Sequence, residues 1–369
     1  MFFVLLSHFA WVYFRLPEQH AWRTALIRVG MVATPTFVIL SGVLVGVLYQ
    51  RCRASFEHVQ ARLIDRGLFL LLVGHVLIGV ALQPVVKVSA LSHSTDALGV
   101  AMVLGALLVP ALSGRSRLVV SCAAYAGSWL AVYSWMPRSA GAEAVKEFMF
   151  GSLTPIAFPA GSFPLVPWSA VYLAGSVLGE RVASLHQRGA VRQVAHELAA
   201  LGVGGVAAMA AVKLAALQLG VSPLAGDVTS ALLRVGQKSP PGPLYLLFYG
   251  GVGMLLVTGC LVAETRGWCR RGLRWAGMCG EASLFIFIAQ FYLLWLVVYK
   301  LGPGGPGLGI VYFALSVTAL VIAARGWQLR QYNRVFTVGY EIAHRRFAPV
   351  MRLFAGLAAE PPLERPARS

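Results

Sequence analysis

Apolar residues fall along this chain in long, almost uninterrupted runs rather than in alternation. The first, "FFVLLSHFAWVYF", begins at residue 2 and is broken only by Ser7 and His8. Further runs lie near 25–50, 67–86, 97–113, 118–135, 165–180, 198–220, 243–264, 282–300 and 307–324. A membrane-spanning helix needs about 20 mostly apolar residues, and the strands of a membrane barrel would alternate with period two. The runs fit the first pattern and not the second. They predict an all-α, polytopic membrane bundle of ten transmembrane helices.

Composition points the same way. The chain has 369 residues, of which 58% are hydrophobic and only 12% charged, with a mean hydropathy of +0.71. Soluble domains carry roughly 25% charged residues, so there is too little charge to coat a water-soluble globule of this size. The formal net charge is +17, but the basic residues sit in short patches between apolar runs. That arrangement orients helices in a bilayer and argues against a nucleic-acid partner. The five cysteines form no CxxC pair, so neither a disulfide framework nor a zinc site is expected.

The loops assign sidedness. Arg51, Arg53, Arg62 and Arg66 follow the second run, and Arg115 and Arg117 the fourth. Arg181, Arg188 and Arg192 follow the sixth, Arg266, Arg270, Arg271 and Arg274 the eighth. With the tail, this side holds 21 basic residues against eight on the other, so both termini are expected in the cytoplasm. The chain then divides into a transmembrane domain, 1–325, and a basic cytoplasmic tail, 326–369, which is partly disordered in its Pro-rich end. The first run is short and lacks the basic leader of a signal peptide; either the helix is short or the start lies upstream. The stretches 51–66 and 181–197 read as surface helices against anionic lipid. The connection 136–164 fits a substrate-covering loop and disordered filler equally well.

No GxxxxGK[ST], HExxH or GxSxG motif is present, so the usual soluble ATPase, metalloprotease and hydrolase signatures are missing. Attention falls on polar residues inside apolar runs, which are costly there and face a cavity or a partner. His8 is either a neutral imidazole bonded to Ser7 or a carbonyl, or a base or nucleophile. Arg28 either snorkels to headgroups or contacts an anion inside the bundle. Asp96 either caps a helix with Ser94 or Thr95 or orients His93 or His8. His75 is read as satisfied by packing, and Lys213 and Glu281 as weaker candidates. Gly42 with Gly46, and Ala170, Ala174, Gly175 and Gly179, give smooth faces for close helix packing.

Six segments together resemble the transmembrane acyltransferase superfamily, in particular the heparan-alpha-glucosaminide N-acetyltransferase-like branch, with acyltransferase 3 and OpgC-type proteins also similar. They are "LLSHFAW", "TPTFVILSGVLVG" followed by "RLIDRGLFLLLVGHVL", "STDALGVAMVLGALLVPAL", "FPLVPWSAVYLAGSVLG", "QKSPPGPLYLLFYGGVGMLLV" and "GEASLFIFIAQFYLLW". The resemblance implies transfer of an acyl group, typically acetyl, from cytoplasmic acyl-CoA to a sugar hydroxyl or amine of an envelope glycan. It implies an inner (plasma) membrane enzyme, no metal, and compatibility with a homodimer. His8 takes the position of the family's first-helix histidine; Arg28, Asp96 and Gln290 complete the implied catalytic set, and Arg62, Arg66, Trp168 and Lys238 the donor site. Three departures stand out. Ser7 replaces an acidic residue, the N-terminal Arg-Gly segment is missing, and Gln290 stands where relatives often have histidine. Glutamine hydrogen-bonds but exchanges no proton. The alternatives are a transporter or flippase, whose repeat symmetry is not evident here, and a catalytically inactive relative.

Overall fold

The computed structural model describes residues 1–82, 93–153, 163–220 and 228–347. Each apolar run is helical over these residues, and none of them forms a β-strand. In order, the helices are α1 (Phe2–Tyr13), α2 (His20–Gly30), α3 (Ala33–Arg51), α4 (Phe56–Phe69), α5 (His75–Leu82) and α6 (Ser94–Ala111). Next come α7 (Gly114–Ser134), α8 (Ala140–Phe150), α9 (Leu165–Gln187), α10 (Val191–Gln218) and α11 (Val228–Leu233). The last are α12 (Pro243–Tyr245), α13 (Gly251–Thr265), α14 (Arg270–Glu281), α15 (Ser283–Tyr292), α16 (Tyr299–Leu301) and α17 (Pro306–Leu329).

Three pairs are joined without a break through single π-helical turns: α4 to α5 by Leu70–Gly74, α12 to α13 by Leu246–Gly250, and α15 to α16 by Leu293–Val298. Among the described residues seven helices are long and apolar enough to cross a membrane: Pro17–Arg51, Arg53–Leu82, α6, α10, Pro243–Thr265, Ser283–Leu301 and α17. The helical, membrane-type fold expected from the sequence is therefore present. Of the remaining runs, α1 is apolar but has only 12 residues. The helices α7 and α9 have 21 and 23 residues and carry charge within their length.

That charge corrects the loop reading at one point. Arg117 lies inside α7, only 1% exposed, and donates to Ser176 Oγ at 2.8 Å and to the Glu180 carboxylate. A buried guanidinium is tolerated because its partners on α9 answer it at the same depth. Neither expected surface helix is separate. Residues 51–66 run on through α4 into α5, with Phe56 and Leu63 buried, and 181–197 is the end of α9, a tight turn and the start of α10. The exposed amphipathic helices are instead α8 and α14, neither of which buries a residue.

Two core clusters organise the packing. One gathers Phe9, Tyr13, Ile78, Leu82, Phe291 and Leu294 from α1, α5 and α15 with its π turn, closed by Leu320 of α17. The other gathers Val45, Leu63, Ala106, Trp168, Tyr172 and Tyr245 around α9. The glycine faces read from the sequence do meet: a Cβ on Gly46 would lie 1.9 Å from the Ser176 carbonyl oxygen, and one on Gly179 2.1 Å from that of Val43. Small residues on both α3 and α9 let the backbones touch, as membrane helices use them.

The tail begins later than residue 326, because α17 continues to Leu329. The residues after it then fold back on α4. Asp65, 3% exposed, accepts from the Thr337 hydroxyl and from the backbone N–H groups of Val338 (3.1 Å) and Tyr340 (2.9 Å), while Phe336 packs on Phe69. The tail beyond residue 347, with its Pro-rich end, lies outside the described residues. Hydrogen bonds to a charged acceptor contribute about 1.5–3 kcal/mol each. Asp65→Ala is therefore expected to lower the thermal unfolding midpoint and to make residues 336–341 cleavable in limited proteolysis. An unchanged proteolytic pattern would show that the tail docks without Asp65.

Candidate functional site

The arginine loops and the tail lie at one end of the bundle. At the other, Tyr13 OH donates to the Gly305 carbonyl (3.2 Å), Arg15 to that of Tyr299 (3.0 Å) and Gln19 to that of Gly304 (2.6 Å), tying the end of α1 to the α16–α17 loop. This clamp positions α1 so that Phe9, Ala10 and Tyr13 are buried, with the half-buried His8 directly before Phe9.

The His8 ring packs against Phe291, with centroids 5.0 Å apart, and Phe287, 6.5 Å away. Both phenylalanines belong to α15, four residues apart, and therefore share a face. Its Nδ1 is enclosed, and Lys238, from the loop before α12, lies within electrostatic reach. Protein atoms crowd His8 and Lys238 on every side, yet both keep accessible surface.

Lys238 reaches this position through a tight turn. Gly242 N–H donates to the Gln237 carbonyl (2.8 Å), Gln237 Nε2 to that of Ser239 (2.7 Å), and Tyr125 OH to that of Pro241 (2.7 Å), midway along α7. The loop thus dips into the bundle. Its lysine Nζ lies 4.3 Å above the Phe163 ring, and burial brings the ammonium down to about 8. Gln290 is entirely enclosed, and neither its Oε1 nor its Nε2 has a hydrogen-bond partner among the described residues. Leaving a buried polar group unpaired costs about 1–3 kcal/mol, so such groups in a folded protein call for an explanation. Gln290 lies on the same helix, α15, three residues after Phe287.

Not every residue singled out in the sequence joins this site. Arg28 is exposed on α2. The residue of α2 that abuts α1 is Gly30, whose Cβ would lie 2.5 Å from Ser7 Cβ. At about 100° per residue, Arg28 falls on the far side of the helix. The four donor-site residues also separate. Arg62 and Arg66 are exposed at the arginine-rich end, with Arg62 paired to Glu341 at 2.9 Å. Trp168, 1% exposed with its indole N–H unpaired among the described residues, belongs to the other end with Lys238.

Asp96 is a helix-capping residue, as one of its two readings held, accepting from the His93 backbone N–H at 2.8 Å. Its side-chain partner, however, is His75, not His93 or His8. His75 Nδ1 lies 3.0 Å from both carboxylate oxygens. The pairing was missed because His75 and Asp96 sit on different runs, and only the turn phase set by Leu70–Gly74 brings them together. A π-helical turn inside an apolar helix is a frequent mark of such sites, but it is not legible in composition. Comparison of the chain with protein families, curated proteins and solved structures returned no match.

Proposed function

We propose that this protein is an integral-membrane acyltransferase that moves an acyl group, typically acetyl, from acyl-CoA to a hydroxyl or amine of an envelope glycan. The observation that carries the reading is the setting of His8 inside the bundle, its ring against Phe287 and Phe291 with Lys238 in electrostatic reach, on a helix packed beside the one that holds the unpaired Gln290 amide. The resemblance of six ordered segments to the transmembrane acyltransferases supports it. His8 stands at the reacting carbonyl, where an imidazole either takes the acceptor's proton or carries the acyl group. Gln290 Nε2 and Lys238 offer N–H donors to the oxyanion that forms as the thioester is attacked. Arg66 and Arg62 meet the donor's phosphates from the arginine-rich end, Glu341 giving way from Arg62.

In this reading the bundle crosses an inner (plasma) membrane ten times, α1, α7 and α9 completing the seven longer spans, with both termini in the cytoplasm. Single cysteines beside Arg192 are expected to resist an impermeant thiol reagent added outside intact cells, and cysteines at 140–147 to react. The reverse labelling would overturn the topology. The direct test of function is consumption of acetyl-CoA by purified protein with a glycan acceptor, and its dependence on His8.

A further inference from the structure

A second cluster of chemistry-bearing side chains lies apart from the arginine end, where α5 meets the start of α6. His75 opens α5, and its Nδ1 faces both oxygens of Asp96 at 3.0 Å. Asp96 is 3% exposed and is held from its other side by the His93 N–H at 2.8 Å. It also lies in the first turn of α6, where the helix dipole favours a negative charge.

A carboxylate fixed on Nδ1 keeps the proton on that nitrogen, turns the Nε2 lone pair outward, and stabilises the imidazolium once a second proton arrives. His75 keeps 26% of its side-chain surface. The His93 ring packs on it with centroids 5.0 Å apart. Burial, and next the neighbouring His75, hold the His93 imidazole down to about 4, so it is neutral near pH 7. It leaves the Asp96 charge to His75. Tyr292, on the adjoining α15, has its hydroxyl proton committed to the Leu77 carbonyl at 2.7 Å. Thr95 Oγ1, one residue before Asp96, is buried and unpaired among the described residues. The arrangement is an imidazole oriented by a carboxylate and still partly accessible, beside α15, whose Phe291 touches His8.

We propose that His75, held by Asp96, is the proton acceptor for the hydroxyl-bearing ligand, a role that divides the chemistry between two imidazoles. The inference rests on the acyl-transfer reading. The acceptor's O–H proton passes to His75 Nε2, and the freed oxygen forms the new C–O bond at the acyl carbon. With His8 as acyl carrier, the bond broken in this step is the acyl carbon–His8 nitrogen bond. Its electron pair returns to the imidazole. In the preceding step the CoA sulfur leaves with the pair of the C–S bond.

The test uses the full-length protein in detergent or lipid and has two arms. In the first, wild type, His75→Gln and His8→Ala are given radiolabelled acetyl-CoA with and without a glycan acceptor. His75→Gln is expected to accept label in the absence of acceptor but to lose about 10²–10⁴-fold in transfer rate. His8→Ala is expected to take up no label. Full transfer by His75→Gln would overturn the proposal. The second arm needs no substrate: carbethoxylation of His75 by diethyl pyrocarbonate, followed by mass spectrometry in wild type and Asp96→Asn. Asparagine can still accept the His93 N–H, so the cap survives while the charge is lost. His75 is expected to react more slowly in Asp96→Asn, because the carboxylate no longer fixes the tautomer or stabilises the charged ring. Equal rates would overturn the oriented-base assignment. If wild type neither takes up nor transfers acetyl groups, the acyltransferase reading fails, and the second arm alone decides whether His75 is an activated base.

Discussion

Alanine at His8 is expected to stop acyl transfer while leaving a folded bundle. Removing an imidazole that acts as base or acyl carrier lowers rate by about 10²–10⁴-fold. The side chain is half-buried and packs at a tilt of 46° against Phe291 rather than filling the core beside Phe9 and Tyr13. Its loss therefore removes few contacts, and the thermal unfolding midpoint should stay close to that of wild type. The sharper comparison is with Gln290. If its amide meets the oxyanion, Gln290→Leu should lower kcat more than it raises the acetyl-CoA KM, because a contact made only in the transition state leaves ground-state binding alone. A His8→Ala protein with full activity, in a preparation whose wild type consumes acetyl-CoA, would remove His8 from the chemistry.

The same residues show what was readable before any coordinates. His8 was conspicuous because an imidazole in an apolar run is expensive, and that cost is a local property. The helices were legible for the same reason, since twenty apolar residues in a row leave the backbone few alternatives in lipid. The glycine faces of α3 and α9 were legible because spacing alone places Gly42, Gly46, Gly175 and Gly179 on stripes. Arg117 was not. Its place inside α7 depends on Glu180, 63 residues later, and a sequence does not say that the two share a depth. For Arg28 the run was legible but the face was not, since the rotation of α2 is set by Gly30 against Ser7 with Leu26 and Ile27 packed on the same core. The His75–Asp96 pair required both a depth match and the π turn before His75. Asp65 went unnoticed because its partners are mostly backbone N–H groups of a distant segment. Those groups carry no side-chain signature.

The interface of α3 with α9 gives the largest expected loss of stability. Gly46→Val would set a branched Cβ against the Ser176 carbonyl oxygen, where even a bare Cβ lies at 1.9 Å, and near the Glu180 nitrogen at 3.0 Å. These are backbone atoms of a buried helix, so no rotamer change relieves the clash. The helices must move apart instead. The same shift would open the packing beside Gly42, whose Cβ would meet the Tyr172 carbonyl oxygen at 2.0 Å, and would disturb the Arg117–Ser176–Glu180 cluster next to it. Overpacking alone costs about 1–3 kcal/mol, and breaking a buried ion pair adds about 3–5 kcal/mol. The sum is comparable to the roughly 5–15 kcal/mol that holds a native protein together. Gly46→Val should therefore give aggregated or degraded protein in size-exclusion chromatography. Gly204→Ala is the control: it lies on α10, where a Cβ would meet nothing within 4 Å, and should elute and melt like wild type. A Gly46→Val protein that matched it would mean that α3 and α9 are not in backbone contact, and the glycine stripes would then need another explanation.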